Sequence, residues 1–95
     1  MNTKINRLRS KILPLLKHNG VVKAGIFGSF ARGEEKKGSD IDILIQFKGG
    51  KTLLDLVSLE RELKIVLGRN VDLLTYDSIN HLIKERILNE EVRVI

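Results

Sequence analysis

The sequence predicts an α/β (α+β) fold, a small mixed β-sheet with helices packed on one face. Segments with apolar residues at helical spacing alternate along the chain with short, continuous apolar runs. The first pattern is typical of amphipathic helices and the second of buried strands. Glycines separate most of these segments, as is expected at helix ends and turns. The resulting order, α-β-(α)-β-α-β-α, favours a sheet that buries one face against helices.

The first segment is predicted to be an amphipathic helix, because its apolar residues recur at helical spacing: Ile5, Leu8, Ile12 and Leu15. Pro14 lies inside this pattern and is expected to kink the helix or to restart its last turn. Asn19 and Gly20 supply a C-terminal stop. Val21–Phe27 is apolar and partly β-branched and predicts a buried strand, after which Ser29 is expected to cap a short helical turn.

A charged, glycine-bounded loop, 33–38, precedes a second predicted strand, Asp40–Phe47. Thr52 and Asp55 have the spacing of a capping box at the start of the next helix, which ends at Gly68. The apolar stripe of that helix consists of Leu53, Leu56, Val57, Leu63 and Leu67.

The C-terminal part of the chain predicts a strand, a helix and a second short strand. The strand is Asn70–Leu74, and the helix is expected to begin near Asp77 or Ser78. One face of this helix carries Ile79, Leu82, Ile83 and Ile87. Val92–Ile95 is expected to form the terminal strand.

The composition predicts one small, soluble globular domain over residues 1–95. With 42% hydrophobic and 31% charged residues, the chain is typical of globular rather than disordered proteins. The sequence has no cysteine, which excludes disulfides and thiolate metal sites. It shows neither a secretory signal nor an apolar segment of the ~20 residues that a membrane span needs. We therefore expect a cytoplasmic protein without a membrane partner.

The formal net charge of +5 is spread along the chain without a long basic block. The sequence contains three phenylalanines, one tyrosine and no tryptophan, which are few aromatic residues for a surface that stacks on bases. A solvated basic surface is therefore the favoured interpretation, and nucleic-acid binding is not expected. Such a surface could equally meet an acidic protein partner or attract a triphosphate.

Aspartates lie on two neighbouring predicted strands. Because strand side chains alternate, Asp40 and Asp42 project from one face, about 6–7 Å apart. Asp72 is expected to face the same way, since its neighbours Val71 and Leu73 point inward. If the strands pair, the three carboxylates converge and their mutual repulsion requires a cation. Mg²⁺ is favoured because it binds carboxylates together with substrate phosphates, and two such ions support displacement at phosphorus.

Each feature alone has a simpler explanation. An Asp-x-Asp in an exposed strand is usually solvated charge or edge protection, and Asp72 alone could cap a turn. Gly28 permits close backbone approach, and the turn that follows it, with the Ser29 hydroxyl, suits phosphates. A Gly-Ser pair is also an ordinary strand-to-helix turn. Arg32 can bind a nucleotide phosphate or lie on the surface, and Glu34 is expected to bracket the loop. The combination favours a nucleotide site.

The combination also resembles the signature of a known superfamily. Gly28-Ser29, followed after ten residues by Asp40-x-Asp42, is similar to the motif of polymerase-β-like nucleotidyltransferases. The longer strings GSFARG, 28–33, and SDID, 39–42, resemble its minimal branch. These MNT-domain proteins are frequently antitoxins encoded beside HEPN-domain ribonucleases. The resemblance covers almost the whole chain and implies the polymerase-β-like nucleotidyltransferase fold.

The resemblance implies a role for each motif residue. Asp40, Asp42 and Asp72 would be catalytic and bind two Mg²⁺ ions, and Asp72 would also help to activate the acceptor hydroxyl. Gly28 and Ser29 would hold the triphosphate. Some family members transfer AMP from ATP to a tyrosine of the HEPN partner and thereby silence it. Because larger relatives use a second domain to bind acceptors, we expect a partner protein to supply the acceptor surface here.

The sequence is compatible with three functions. The leading hypothesis is Mg²⁺-dependent transfer of a nucleoside monophosphate, AMP from ATP being expected, to a hydroxyl of a HEPN toxin. The alternative is a non-catalytic antitoxin that neutralises its partner by occlusion. The set of three aspartates favours the enzyme. A small nucleic-acid binder ranks third because it leaves the carboxylates unexplained.

Overall fold

A four-stranded mixed sheet with helices packed on it forms the fold of the computed structural model, which describes residues 3–95. The helices are α1 (Thr3–His18), α2 (Gly28–Arg32), α3 (Leu53–Leu67) and α4 (His81–Glu90). The strands are β1 (Val21–Phe27), β2 (Ile41–Phe47), β3 (Val71–Thr75) and β4 (Val92–Arg93), with a 3₁₀ turn at Tyr76–Ser78. This arrangement confirms the predicted fold class. Within the described residues, no helix is long and apolar enough to cross a membrane.

The strand order is β3-β2-β1-β4, with β2 antiparallel to β1 and parallel to β3. The C-terminal end of β1 therefore lies beside the N-terminal ends of β2 and β3. Phe27 pairs with Asp42, and Asp42 pairs with Asp72. We call this end of the strands the Asp42 end of the sheet. Helix α2, the loop before β2 and the segment before β3 all lie there.

One face of the sheet is buried against α1 and α3. On β2, the side chains of Ile41, Ile43 and Ile45 are at most 1% exposed. The two helices add Ile5, Ile12, Leu16, Leu59 and Leu63 to this core. Because strand side chains alternate, burial of the isoleucines turns Asp42 toward the opposite face. The core thus determines the direction in which the carboxylates point.

Local sequence signals set the ends of α3 as predicted. Thr52 accepts a hydrogen bond from the N–H of Asp55, and the Asp55 carboxylate accepts one from the N–H of Thr52 at 2.7 Å. Gly68, at φ 66°, ends the helix and donates its N–H to a carbonyl of the last turn. In α1, the helix continues through Pro14 to His18 and is not restarted.

The predicted start of the last helix is wrong. Residues 76–78 form a 3₁₀ turn, and α4 begins only at His81, because Asn80 caps it by accepting a hydrogen bond from the N–H of Leu82. None of the α4 residues is buried, so its predicted apolar face does not enter the core.

The predicted apolar stripe of α3 also differs from the structure. Leu53 and Val57 are exposed, whereas Leu59 and Leu63 are fully buried. At about 100° of rotation per residue, Leu53 and Val57 lie on a different side of the helix from the buried pair.

The ends of three strands differ from the predicted ends by one or two residues. Strand β2 begins at Ile41, β3 covers Val71–Thr75 and β4 ends at Arg93.

The inward face of α3 can be tested with two leucines of the same helix. Leu59→Ala is expected to lower the free energy of unfolding by about 2–4 kcal/mol, because Leu59 is 0% exposed and its removal leaves a cavity. Leu54→Ala, at a side chain 79% exposed, should change it by less than about 0.5 kcal/mol. Urea unfolding followed by circular dichroism measures both. Equal losses in the two variants would contradict the described orientation of α3.

Candidate active site

Two carboxylates from neighbouring parallel strands lie side by side. Asp42 on β2 and Asp72 on β3 are register partners, and paired strands are about 4.8 Å apart. Both face away from α1 and α3, because their strand neighbours, such as Ile43 and Leu73, are buried in the core. The two strands thus pair, which was the condition for their carboxylates to converge.

The environment of Asp42 disfavours its ionised form. The pKa of Asp42 is raised from 3.8 to about 6, chiefly by partial burial and next by the negative charge of Asp72. A hydrogen bond between the two carboxyls, which only a protonated carboxyl can donate, and the charge of Asp40 act in the same direction. The cation of Arg32 offsets these effects only in part. The site therefore has an excess of negative charge near neutral pH.

Asp40, the third predicted carboxylate, is exposed at the end of the loop that leads into β2. Two hydrogen bonds between Lys36 and Ser39 form a turn just before Asp40. Ser39 Oγ accepts one from the N–H of Lys36 at 2.7 Å, and the N–H of Ser39 donates the other to the Lys36 carbonyl at 2.9 Å. Among residues 3–95, no three His, Cys, Asp or Glu side chains are grouped so that they could hold a metal ion. The structure thus pairs Asp42 with Asp72 and leaves Asp40 beside them, and the three-carboxylate metal site stays a prediction.

Gly28 lies directly against the Asp42 carboxylate. A Cβ atom at this position would overlap Asp42 Oδ2, and the backbone of Gly28 has φ 72°, which side chains rarely adopt. Glycine therefore allows β1 to turn into α2 immediately beside the carboxylate. The observed contact of Gly28 is with Asp42, and its approach to a phosphate stays a prediction.

The predicted capping role of Ser29 is wrong. The helix starts at Gly28, its N-cap is Phe27, and no described side chain caps the first turn. The reason is that the chain turns at Gly28, which places Ser29 inside the helix rather than before it. Because N–H groups of a first helical turn lack partners within the helix, the start of α2 retains donors beside Asp42.

Arg32, at the end of α2, is held by two acidic side chains. Its Nε donates to Glu34 and its Nη1 donates to Glu90, both at 3.1 Å, and these hydrogen bonds raise the pKa of the Arg32 guanidinium. The pairing supports the expectation that Glu34 brackets the loop. Sequence reasoning missed Glu90, because nothing in the local pattern links two residues 58 positions apart.

A cleft opens between the start of α2 and helix α4. On one side it is lined by Phe27, Gly28 and Arg32. The wall from α4 consists of Ile83, Arg86, Ile87 and Glu90. The cleft therefore combines apolar surface with two arginines next to the turn at Gly28. Nothing in the local sequence pattern assigns the α4 residues to the site.

Tyr76 packs against the protein rather than facing the site. Its ring is buried, its hydroxyl donates a hydrogen bond to Glu91, and the Lys23 ammonium lies 4.3 Å from the ring centroid. Burial and the Glu91 carboxylate raise the pKa of the Tyr76 hydroxyl. Gly25 leaves the space that Glu91 occupies, since a Cβ there would overlap its carboxylate. These contacts explain Tyr76 as a structural residue.

Burial and the neighbouring negative charges disfavour the ionised Asp42 carboxylate, so replacing it with a neutral side chain is expected to stabilise the fold. In metal-free buffer at pH 7.5, Asp42→Asn should raise the free energy of unfolding by about 1 kcal/mol, since a partly solvated site transmits only part of the pKa shift. The folded chain holds the Asp42 proton more tightly than the unfolded chain, so the stability contributed by this group falls as pH rises from about 4 to about 6. The gain should therefore disappear below pH 4. Urea unfolding of Asp42→Asn at pH 7.5 and below pH 4, with Asp77→Asn as control, measures this change in stability. A loss of stability at pH 7.5 would contradict the electrostatic interpretation.

Sequence comparison places these residues in a family. Residues 7–94 match the family model described as nucleotidyltransferase domain. A Methanocaldococcus jannaschii protein provisionally named a protein adenylyltransferase is 58% identical over 91 residues, which are 96% of this chain and 98% of that protein. Protein adenylyltransferase MntA of Thermococcus cleftensis is 43% identical over 75 residues, which are 79% of this chain and 76% of that protein.

Solved structures share the fold. One provisionally described as a minimal nucleotidyltransferase has a TM-score of 0.82 at 35% identity, covering 94% of this chain and 91% of that chain. A structure of a tri-AMPylated Shewanella oneidensis HEPN toxin in complex with MNT antitoxin has a TM-score of 0.75 at 21% identity, covering 95% of this chain and 71% of the matched chain, a likeness that shows the fold alone. With the motif, the fold and the family model in agreement, the chain belongs to the nucleotidyltransferase domain family and has the fold of its minimal members.

Proposed function

We propose that this chain transfers AMP from ATP to a hydroxyl on a partner protein, and that it thereby acts as the antitoxin of a HEPN ribonuclease toxin. The pairing of Asp42 with Asp72 beside Gly28 carries the proposal, because it sets acidic groups next to a turn suited to phosphates. Two relatives bear protein adenylyltransferase names, which supports AMP as the transferred group and a protein as the acceptor. The similar Shewanella structure, of an AMPylated HEPN toxin with its MNT antitoxin, supports the choice of partner.

The donor chemistry of the site fits Mg²⁺. Asp40, Asp42 and Asp72 offer only carboxylate oxygens, the ligands that Mg²⁺ prefers. The pKa of Asp42 is raised by burial and by the charges of Asp72 and Asp40, which Arg32 offsets only in part, so a bound cation would favour its ionised form. These three residues would hold two Mg²⁺ ions. When bound, the ions would neutralise charge on the phosphates and on the attacking and leaving oxygens.

The triphosphate would lie against the start of α2. Gly28 lets phosphate oxygens approach the backbone, and Ser29 contributes its N–H and hydroxyl as donors. Arg32 is held at this place by donating one hydrogen bond to Glu34 and one to Glu90. A phosphate would displace one of these carboxylates and accept two parallel hydrogen bonds from the guanidinium. The two acidic residues thus keep the guanidinium directed before the nucleotide arrives.

The reaction joins the acceptor oxygen to the α-phosphorus of ATP. As this bond forms, the bond from the α-phosphorus to the bridging oxygen breaks and pyrophosphate leaves. The acceptor O–H would donate its hydrogen bond to Asp72, whose exposed carboxylate accepts the proton and returns it to solvent. Because the proposed substrate is ATP, the proposed location is the cytoplasm. In this proposal residues 1–95 act as a single minimal domain and the partner supplies the acceptor surface.

Nucleotidyl transfer is tested by intact mass. The purified chain is mixed with the protein encoded by the neighbouring gene, Mg²⁺ and each of the four nucleoside triphosphates in turn. An AMP-sized gain on the partner is expected with ATP. Asp42→Asn and Asp72→Asn should each lower the rate by about 100-fold or more, or about 2.7 kcal/mol of transition-state stabilisation. Asp77→Asn, an exposed carboxylate outside the site, should retain the rate.

The same experiment separates transfer from occlusion. If the aspartate variants still neutralise the partner, and no nucleotide produces a mass gain while a stable complex forms, the chain acts by occlusion. Loss of both transfer and neutralisation in Asp42→Asn, with Asp77→Asn unaffected, supports the enzyme.

Two glycines provide a matched test of the turn beside Asp42. Gly28 and Gly33 have φ 72° and 71°, but only a side chain at Gly28 would meet Asp42. Alanine at either position should cost about 1–2 kcal/mol of stability through backbone strain. We expect Gly28→Ala to lose AMP transfer, because the added methyl displaces the carboxylate, and Gly33→Ala to keep it. Equal transfer rates at equal stability would show that the Gly28 contact does not position the site.

A further inference from the structure

A concave basic surface lies at the Asp42 end of the sheet, on the side of α1. We call it the basic cleft. Its volume, about 420 Å³, is in the range of ligand pockets. Its cations come from α1, from the loop before β2 and from the segment before β3: Lys4, Arg7, Lys11, Lys36, Lys37 and Arg69. Leu8 and Phe30 add an apolar part to the lining.

The basic cleft accounts for the whole net charge of the chain. Six of the 17 Lys and Arg residues line it, against one of the 12 Asp and Glu residues, Glu35. The other eleven basic residues are matched by eleven acidic ones, so the rest of the chain has no formal net charge. Charge of one sign in a concave surface concentrates the field and attracts the opposite sign. The occupant of the cleft should therefore be acidic.

Two cations of the cleft are fixed by contacts within the protein. The Lys4 ammonium lies 3.1 Å from Glu35 Oε1, and the side chain of Glu35 is only 8% exposed. The Arg69 guanidinium lies over the ring of Phe30, 5.2 Å from its centroid. These contacts shape the wall of the cleft, and the other four basic residues are exposed, as is Lys4.

Backbone hydrogen bonds connect the basic cleft to the carboxylates. Lys36 is bonded to Ser39 in the turn that precedes Asp40. On the other side, the carbonyl of Asn70, the residue after Arg69, accepts a hydrogen bond from the N–H of Ile41 at 3.0 Å. A molecule held in the cleft would therefore lie at the same end of the sheet as the site.

We propose that the basic cleft binds an acidic segment of the acceptor protein and so holds its hydroxyl beside the carboxylates. This inference rests on the proposed function, which requires a protein acceptor. Protein is favoured over nucleic acid because the aromatic ring of the cleft, Phe30, is 5% exposed and covered by Arg69, so it offers no face for a base to stack on. Leu8, which is only partly buried, instead suits an acidic segment that also carries apolar side chains.

Charge reversal with a matched control tests the proposal. Lys36→Glu/Lys37→Glu reverses two exposed cations of the cleft, and Lys48→Glu/Lys51→Glu makes the same charge change near the opposite end of β2. Calorimetry without ATP measures binding of the protein encoded by the neighbouring gene. The cleft variant should raise its Kd at least about tenfold and the control less than about twofold. In the transfer assay, KM for the acceptor should rise while kcat at saturating acceptor is retained.

A second pair of cations makes the test independent of the loop before β2. Arg7→Glu/Lys11→Glu, on α1, should weaken acceptor binding in the same way. A glutamate-rich peptide should displace the acceptor from the unmodified chain. A single-stranded RNA of equal charge should not do so at physiological salt.

The outcomes distinguish the two proposals. Equal Kd values for the cleft variants and the control overturn the docking proposal, even if AMP transfer occurs. Displacement of the acceptor by RNA but not by the peptide also overturns it, in favour of nucleic acid, as does a failure of the unmodified chain to bind the acceptor. Loss of binding confined to the cleft variants, in a chain that transfers no nucleotide, supports docking and overturns the proposed reaction.

Discussion

The parallel pairing of β2 with β3 is the constraint on which the rest of the site depends. It places Asp42 beside Asp72 on the face of the sheet away from the main core. Partial burial and the repulsion between these two carboxylates raise the pKa of Asp42. The neighbouring backbone leaves room for this pair only because residue 28 is glycine. The Asp42–Asp72 pair therefore carries negative charge that the cations of the folded chain neutralise only in part.

The hydrophobic core offsets the free-energy cost of the acidic site. Ile41, Ile43 and Ile45 are buried on the opposite face of the strand that carries Asp42. Each fully buried isoleucine contributes about 2 kcal/mol, which exceeds the cost of about 1 kcal/mol that we assign to the burial of the Asp42 carboxylate and its repulsion by the neighbouring acidic groups. The same alternation of side chains therefore stabilises the strand on one face and presents acidic groups on the other. The residues that stabilise β2 therefore lie on one of its faces, and the acidic residue of the proposed site lies on the other.

Charges of both signs are concentrated at the Asp42 end of the sheet. The carboxylates lie on one side of α2, and the basic cleft lies on the side of α1, with Phe30 contributing to the cleft and Ser29 adjoining it in sequence. Arg32 is held between Glu34 and Glu90 at the boundary of the carboxylate region. This separation would let a nucleotide and an acidic acceptor approach from different directions without competing for the same cations. It also explains how a chain with a modest net charge can have a strongly basic surface.

The sequence by itself determined the element types, most of their ends and the identity of the motif residues. Helical and strand periodicity, the capping box at Thr52 and the glycine at position 68 are local, and local hydrogen bonding and burial enforce them. The same holds for the face that Asp42 occupies, because alternation along a strand follows from backbone geometry. Ser29 and the start of α4 were placed wrongly because a turn of one or two residues depends on backbone angles that composition does not specify.

Only the tertiary structure decided which distant residues meet. The register of Asp42 with Asp72, the pairing of Arg32 with Glu90 and the gathering of six scattered cations into one cleft each join residues far apart in the chain. On the sequence, those cations favoured a merely solvated surface. The physical reason is that charge–charge and strand–strand contacts over such separations are set by the packing of whole helices and strands, which no local periodicity encodes.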